Sequence, residues 1–345
     1  MTLDNVTSIY DVARIAGVSA ATVSRALNRP DLVSSATAEK VMEAITKVGY
    51  RTHATAPPDS SSTPRTGVIG IVIADLLNPF FLEIVRGAEH AARSQNRQLL
   101  VANAAESERR FLEAIDAMLP LVDGVLLASP RLSTGQIHKI ARTRHTVVLN
   151  RPVAGVASVM ADNYAAAVAA AEYLAATGTR SITYLAGPED AFADGLRWRG
   201  LLDAAGEPST DKPLTLIHPP TPIGKLKVHK MRATEPTIRG GHQLVRRWYD
   251  CPTDAVLCFN ELISVGFMHG AQQLGLRVPE DVKVVGFDNT EFAQIVTPSL
   301  TTAAAPLRLI GSVGAALVMS HIEGLRKPQL QPRILPTKLI RRQSA

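Results

Sequence analysis

The sequence predicts an α/β protein in which a small three-helix unit precedes two doubly wound parallel-sheet units. Two observations predict this class: strand-like apolar runs alternate with helical patterns from residue 68 onward, and three short amphipathic helical patterns precede them. With 345 residues, 46% of them hydrophobic, the chain can bury one large or two medium cores beyond the first unit. We expect residues 1–51 to form the helical unit, 52–66 a linker rich in Pro and Ser, and 67–345 the α/β core.

The first unit has the pattern of a helix-turn-helix. Apolar residues at three- and four-residue spacing mark two short helices, and Gly17 between them provides the backbone freedom that a tight turn requires. Ser19 is a good N-cap for the second helix. A third helix is predicted over 34–48, because Ser34 can cap it and Gly49 can end it. The residues predicted to face inward are Val12, Ile15, Ala16, Val23, Leu27, Val41, Ala44, Ile45 and Val48.

The outward face of the second helix has the chemistry of DNA recognition. Ala20 and Ala21 are small enough to let a helix lie deep in a major groove, where Arg25 can donate to the paired acceptors of guanine. Hydroxyl groups that suit phosphate oxygens belong to Ser19, Thr22 and Ser24. The alternative is a generic helical bundle whose exposed arginine is only solvated.

Bulk charge does not indicate nucleic-acid binding. The net charge is +6, yet residues 1–66 hold seven Lys and Arg against six acids. Residues 225–247 hold seven against one, an excess equal to that of the whole chain. The case for DNA therefore depends on which groups face outward from the second helix.

Repeated alternation of strands and helices predicts parallel sheets covered on both faces. The predicted strands are 68–73, 99–101, 125–127, 147–149, 156–160, 182–185, 214–217, 255–258 and 282–285. The predicted helices are 81–95, 107–119, 136–142 and 165–177. We expect a first subdomain from about 67–162 and 291–323, and a second from about 163–290 and 324–345.

Polar and aromatic residues follow the predicted strands, and doubly wound sheets bind ligands outside the carboxyl ends of their strands. Acids, amides and an arginine beside aromatic faces suit a sugar or polyol, whose hydroxyl groups both donate and accept hydrogen bonds. The alternative is that strand ends are polar only because they are solvated and capped. The candidates are Asp75, Asn78, Phe80, Phe81, Asn150, Arg151, Asp162, Asn260, Glu261, Asp288 and Asn289.

Signals of other protein classes are weak. The sequence has no Gly-x-Gly-x-x-Gly after a strand, no Walker loop and no tight His/Cys pair, so we expect no catalytic residues, no cofactor and no metal. Cys251 and Cys258 are expected to be reduced thiols. A basic-then-apolar leader and a bilayer-length apolar run are missing, which favours a cytoplasmic protein. A solute-binding module or an enzyme on the same fold is the alternative, and a DNA mobility shift distinguishes them.

Six sequence motifs share a pattern known from one protein family. The two most specific run from Ile9 to Asn28 and from Val278 to Asn289. The shorter ones are Asn-Pro-Phe-Phe from Asn78, Arg-Pro at Arg151, Asp-Asn-Tyr from Asp162 and Arg-Trp-Arg-Gly from Arg197. From end to end the chain resembles the lactose-repressor (LacI/GalR) family of transcription regulators.

The resemblance implies a bacterial, sequence-specific DNA-binding regulator, usually a repressor, that works as a homodimer or a dimer of dimers. Its core would resemble periplasmic sugar-binding proteins, and a small effector between the subdomains would change operator binding allosterically. Base edges would be contacted by Ala20, Ala21 and Arg25, and phosphates by Tyr10, Ser19, Thr22, Ser24, Asn28, Ser34 and Thr37. Arg197, Asn260 and Asp288 occupy effector-contacting positions, and join Asp75, Asn78, Phe80, Phe81, Asn150 and Arg151 as the predicted effector site.

Two segments depart from the family pattern. The family continues after the Gly-Tyr pair at Gly49 with a hinge helix whose leucine inserts into the minor groove. Here residues 52–56 lack leucine and run into Pro57-Pro58, which favours a flexible tether. The segment 219–240 is longer than usual and contains four prolines, so it is predicted to be mostly irregular. It is either a solvated loop or a site for a phosphate-bearing effector or for DNA.

Overall fold

The computed structural model describes residues 9–28, 33, 37, 40, 41, 43, 44, 65–207, 223, 226–325 and 331–345, and only the backbone of residues 9, 24, 25, 27 and 28. The chain divides into two compact units, Met1–Pro64 and Arg65–Ala345. Of the predicted linker, only Arg65 and Thr66 fall within the described residues, so the proposed flexible tether lies outside them.

A tight turn joins two helices at the start of the first unit, α1 (Ile9–Ala16) and α2 (Ala20–Asn28). Gly17 in the turn has a φ of 68°. The Ser19 Oγ accepts a hydrogen bond from the Thr22 backbone N–H at 3.1 Å and so caps α2. The described residues of the predicted third helix are helical at Thr37, Lys40, Val41, Glu43 and Ala44. The buried core of the first unit contains Val12, Ala13, Val23, Val41 and Ala44, which confirms the helix-turn-helix unit.

The first subdomain of the second unit contains a six-stranded parallel sheet. Its strands are β1 (Val68–Ile73), β2 (Gln98–Asn103), β3 (Gly124–Ala128), β4 (His145–Leu149), β5 (Ala157–Ala161) and β11 (Arg333–Leu335). They are hydrogen-bonded in the order β11-β5-β4-β3-β1-β2. Ile71 in the centre lies opposite Val101 on one side and Leu126 on the other.

Helices cover both faces of this sheet. One face carries α3 (Pro79–Ser94) and α11 (Leu307–Ile322), and the other carries α4 (Glu108–Met118) and α5 (Thr134–Thr143). Side chains alternate between the two cores along each strand, so Ile71 packs below α3 and Val72 packs toward α4. Such strands must be apolar on both faces, which explains their continuous Val, Ile and Leu runs.

The second subdomain repeats this architecture. Its strands are β6 (Ser181–Ala186), β7 (Lys227–Arg232), β8 (Ala255–Cys258), β9 (Lys283–Asp288), β10 (Thr301–Ala304) and β12 (Lys338–Ile340). The order is β12-β10-β9-β8-β6-β7, with β12 antiparallel to β10. The helices are α6 (Asn163–Ala176) and α7 (Phe192–Ala205) on one face, and α8 (Ile238–Tyr249), α9 (Glu261–Gln273) and the short α10 (Phe292–Ile295) on the other. The predicted doubly wound α/β fold is confirmed.

Among the described residues, the chain crosses between the subdomains at 161–163, 304–307 and 335–338. Two expected assignments are therefore wrong. Strand β10, expected in the first subdomain, pairs with β9 of the second sheet, and β11, expected in the second, pairs with β5 of the first. Strands of three or four residues are too short to show a periodicity, and their sheet is decided by the backbone partners they meet.

The segment 219–240, here called the basic segment, contains more helix and strand than predicted. Strand β7 and the start of α8 fall within 219–240, which was expected to be mostly irregular. Pairing with β6 fixes the backbone of β7, and an edge strand tolerates charged side chains because one side of it faces solvent. The strand predicted at 214–217 lies outside the described residues.

Helices α3 and α11 cross so closely that neither has room for a side chain at the contact. A Cβ atom on Gly311 would lie 1.9 Å from the Ile84 carbonyl oxygen, and one on Gly87 would lie 1.9 Å from the Arg308 carbonyl oxygen. Both obstacles are backbone atoms, so rotating a side chain cannot relieve the overlap.

The substitution Gly311→Ala is expected to lower the free energy of unfolding by about 1–3 kcal/mol, because α3 and α11 must separate to make room for the added Cβ. The matched control is Gly195→Ala on α7, where an added Cβ meets nothing within 4 Å. This control is expected to leave stability unchanged or to raise it by up to about 1 kcal/mol, since alanine favours a helix. Urea unfolding followed by circular dichroism measures both, and equal stabilities would contradict the close crossing.

Candidate functional site

A cleft lies between the two subdomains of the second unit, where carboxyl ends of strands from both sheets meet. Its empty volume is about 560 Å³ including the open mouth, and small-molecule pockets span roughly 300–1,000 Å³. The first wall contains Asn78, Phe80, Phe81, Glu106, Ser129, Pro130, Arg131, Asn150 and Arg151. The second contains Ala191, Phe192, Ala193, Arg197, Pro236, Phe259, Asn260 and Asp288.

Eight of the nine residues predicted as an effector site line this one cleft. The exception is Asp75, whose Oδ1 accepts a hydrogen bond from the Leu77 backbone N–H at 3.0 Å and closes a turn. Local hydrogen bonding of this kind is common for aspartate and cannot be distinguished from ligand binding by residue type. Asp162, another strand-end candidate, caps α6 by accepting from the Ala165 backbone N–H at 2.9 Å.

Several residues that line the cleft were not predicted from the sequence. Glu106 and Ser129 follow β2 and β3, so the strand-end rule applied to every strand would have found them. Both have left-handed backbones, with φ of 55° and 51°, and Asn150 after β4 has a φ of 66°. No comparable signal marks Phe192 or Pro236, which enter the lining through the paths of their loops.

The first wall combines an aromatic surface with amide and guanidinium groups. Asn78 caps α3, because its Oδ1 accepts from the Phe80 backbone N–H at 3.1 Å. The Phe80 and Phe81 rings meet edge to face with centroids 5.0 Å apart. Asn150 donates from Nδ2 to the Ser129 Oγ at 3.3 Å. Such a wall can contact both a ring face and hydroxyl groups.

The second wall is organised by the buried side chain of Arg197, which is 4% exposed. Its Nε donates to the Asn163 Oδ1 at 2.9 Å, its Nη1 donates to the Phe259 carbonyl oxygen, and its Nη2 lies 3.5 Å from the Asp288 Oδ1. The guanidinium carbon also lies 4.1 Å from the centroid of the Phe287 ring. Cation–π contact and hydrogen bonds together compensate the buried charge.

Two buried carboxyl groups of the second subdomain, Asp288 and Glu261, have shifted pKa values. Burial raises the pKa of Asp288 to about 7, and the charge of Arg197 offsets only part of this shift. Burial also raises the pKa of Glu261, although the backbone N–H groups of Asn289 and Thr290 donate to its carboxylate at 2.7 and 2.8 Å. Near neutral pH the Asp288 carboxyl therefore exists in both forms and can donate or accept a hydrogen bond.

The candidate DNA-contacting residues lie in the first unit. Tyr10 is 73% exposed, and Ser19 and Ala21 are exposed. Ala20, predicted to face outward, is half-buried and packs against the helical core. Thr22 and Thr37 are half-buried as well. Ser34 and the side chains of Ser24, Arg25 and Asn28 lie outside the described residues.

Two cations of the basic segment are engaged within the second subdomain. The Lys230 Nζ lies 3.3 Å from the Oδ2 of buried Asp194 and 5.2 Å from the centroid of the Trp198 ring. Arg232 donates to the Gly187 carbonyl oxygen and lies 3.8 Å from the same carboxylate. Part of the basic excess therefore neutralises a buried acid.

In the part of the chain that the structure describes, no three or more His, Cys, Asp or Glu side chains are placed to hold a metal ion. Within the same ranges, no helix combines the length and apolarity needed to cross a bilayer. Cys251 and Cys258 are free thiols, and burial raises the pKa of Cys258 to about 12.

Known proteins share both units. The model of the lacI family of bacterial regulatory proteins matches residues 8–53, and that of a periplasmic binding protein-like domain matches residues 171–345. The ribose operon repressor of Halalkalibacterium halodurans is 30% identical over 343 residues, which cover 98% of this chain and 97% of that one. The HTH-type transcriptional repressor CytR of Escherichia coli K12 is 31% identical over 323 residues, covering 92% and 90%.

A solved structure extends the likeness to three dimensions. The transcriptional regulator CelR in its cellobiose complex is 29% identical, with a TM-score of 0.69 over 98% of this chain and all (100%) of that one. Fold and cleft together define a DNA-binding transcriptional regulator whose core resembles periplasmic binding proteins. The chain belongs to the lacI family of bacterial regulatory proteins, and the two relatives named above are repressors.

The raised pKa of Asp288 makes stability depend on pH. In the folded chain this carboxyl keeps its proton up to a pH of about 7, whereas its ordinary pKa is 3.8. Between these values the folded state binds one proton more than the unfolded state, so this group's contribution falls as pH rises, by at most about 1.4 kcal/mol per pH unit. Asp288→Asn is expected to remove this slope. Chemical unfolding of both proteins across the window measures the difference, and parallel curves would contradict it.

Proposed function

We propose that this regulator represses transcription by binding operator DNA through its helix-turn-helix unit, and that a small polar metabolite in the cleft changes its affinity for the operator. The observation that best supports the proposal is the gathering of eight of the nine predicted effector-site residues, from Asn78 to Asp288, around one cleft. A sugar, polyol or nucleoside suits this mixture of aromatic, amide and charged groups. The names of the ribose operon repressor and of the cellobiose complex agree with this chemical class.

The proposed mechanism is a change of closure angle. The two walls belong to subdomains that the described residues connect at three crossovers, so a ligand that touches both walls favours one relative orientation. A coupling free energy of about 1–3 kcal/mol between cleft and DNA would change operator affinity from several-fold to about a hundredfold.

The DNA-binding motif favours a symmetric oligomer. Helix-turn-helix regulators read two half-sites with two copies related by a twofold axis. We therefore propose a homodimer, or a dimer of dimers, acting in the cytoplasm on bacterial DNA.

A ligand screen tests the coupling. The full chain is heated with ribose, cellobiose, other polyols and nucleosides in turn, and any ligand that raises its melting temperature is added to a mobility shift with DNA selected from a random duplex library. At least one stabilising compound is expected to change the operator dissociation constant by about fivefold or more. Stabilising compounds of which none changes DNA affinity would contradict the proposed mechanism.

Arg25→Ala is expected to weaken binding to the selected operator by about 1–3 kcal/mol, because one contact to a base edge is lost. The matched control is Arg14→Ala, which removes an exposed arginine of α1 that lies 3.6 Å from Asp11. The control should weaken operator and random DNA alike, whereas Arg25→Ala should lower their affinity ratio. Fluorescence anisotropy measures both ratios, and an unchanged ratio for Arg25→Ala would remove it from base recognition.

A further inference from the structure

Arg131 of the first wall faces a carboxylate of the opposite subdomain, Asp190. We call these two residues, together with Glu106 and Arg151, the mouth of the cleft. The Arg131 Nη2 lies 2.9 Å from the Glu106 Oε2, and only 9% of the Arg131 side chain is exposed. The Arg131 Nε lies 3.8 Å from the Oδ1 of Asp190, in the loop between β6 and α7. The contact therefore joins loops of opposite subdomains.

A second arginine belongs to the same group. Arg151 donates from Nη1 to the Leu132 carbonyl oxygen at 2.5 Å, which holds the guanidinium beside the loop after β3. Burial lowers the pKa of Arg151; the charge of Asp190 opposes this shift and that of Arg131 adds to it. Asp190 thus acts on two like charges that repel each other.

The charges of the mouth balance only across the cleft. On the first wall Arg131 and Arg151 oppose one carboxylate, Glu106, which leaves an excess of one positive charge. Asp190 of the opposite subdomain, next to the lining residue Ala191, supplies the missing negative charge.

Asp190 either holds the cleft shut or occupies the place of a ligand's anionic group. The strength of its ion pair with Arg131 decides between these two roles. Its side chain is 59% exposed and its oxygen lies 3.8 Å from the arginine, and ion pairs of this kind contribute little to stability. The pair is too weak to hold the cleft shut alone. An anion that enters the cleft can make shorter, charge-assisted hydrogen bonds with the same guanidinium groups and displace Asp190.

We infer that Asp190 is an internal stand-in for an anionic group of the effector, and that the preferred effector carries a carboxylate or phosphate that replaces Asp190 beside Arg131 and Arg151. This inference rests on the proposed function, because it concerns the ligand of the same cleft. The aromatic and amide groups of the first wall contact the hydroxylated body of such a molecule. The chemical class is therefore an acidic or phosphorylated sugar.

Matched probes test the inference on the full chain by isothermal titration calorimetry. The probe pairs are glucose with glucuronate, and ribose with its terminal phosphate ester. The acidic member of at least one pair is expected to bind about tenfold or more tightly than its neutral partner. Comparing the two pairs separates carboxylate from phosphate. Neutral members that bind as tightly as the acidic ones would overturn the inference.

Variants assign the effect to individual residues. Asp190→Asn removes the competing carboxylate and is expected to tighten the acidic probe about tenfold while leaving the neutral one unchanged. The control, Glu189→Gln, removes the neighbouring exposed acid and should change neither. Arg131→Gln is expected to weaken the acidic probe about tenfold or more. Equal effects of Asp190→Asn and Glu189→Gln would show a general field effect and overturn the assignment.

The two hypotheses fail in different ways. If neutral sugars bind and change operator affinity while acidic ones do not, the inference fails and the proposed function stands. If bound probes never change operator affinity, the proposed function fails. If no probe binds, inorganic phosphate serves as the minimal anion. Phosphate should then raise the melting temperature of Asp190→Asn by more than it raises that of the unaltered chain, and equal shifts would overturn the inference.

Discussion

One buried positive charge holds the second wall of the cleft in place. Through its guanidinium group, Arg197 connects the start of α6 at Asn163, the end of β8 at Phe259 and the end of β9 at Asp288. Removing one member of a buried ion pair leaves the other uncompensated, at a cost of about 3–5 kcal/mol. These elements therefore depend on each other, and the surface offered to a ligand is also part of the structural core.

The charges of the cleft fall into two groups with different roles. In the interior, Arg197 and Asp288 belong to the same subdomain and are almost fully buried, so the proposed change of closure angle would leave their contact unchanged. At the mouth, Arg131 and Asp190 belong to opposite subdomains, and their separation depends on the closure angle. The interior thus fixes the shape of one wall, while the mouth responds to the distance between both.

Much of the fold and site is predictable because parallel strands place their carboxyl ends on one edge of a sheet. That rule alone brings Asn78 and Asn150 to the same edge of the first sheet, although they are far apart in sequence. It fails where tertiary contacts decide. Strand β7 has a basic sequence, and its strand backbone comes from pairing with β6. The contact between Arg131 and Asp190 depends on loop paths that residue types do not encode.

The close contact of α3 and α11 connects the first wall of the cleft to the first residue of the second unit. Helix α3 starts at Pro79 beside the cleft, α11 starts at the end of the crossover at 304–307, and the two backbones come close at Gly87 and Gly311. At the far end of α11 the Ile322 carbonyl oxygen accepts a hydrogen bond at 2.8 Å from the Nη2 of Arg65, the first residue of the second unit. With 16 residues, α11 is about 24 Å long. A tilt of about 5° at the crossover would therefore displace Arg65 by about 2 Å.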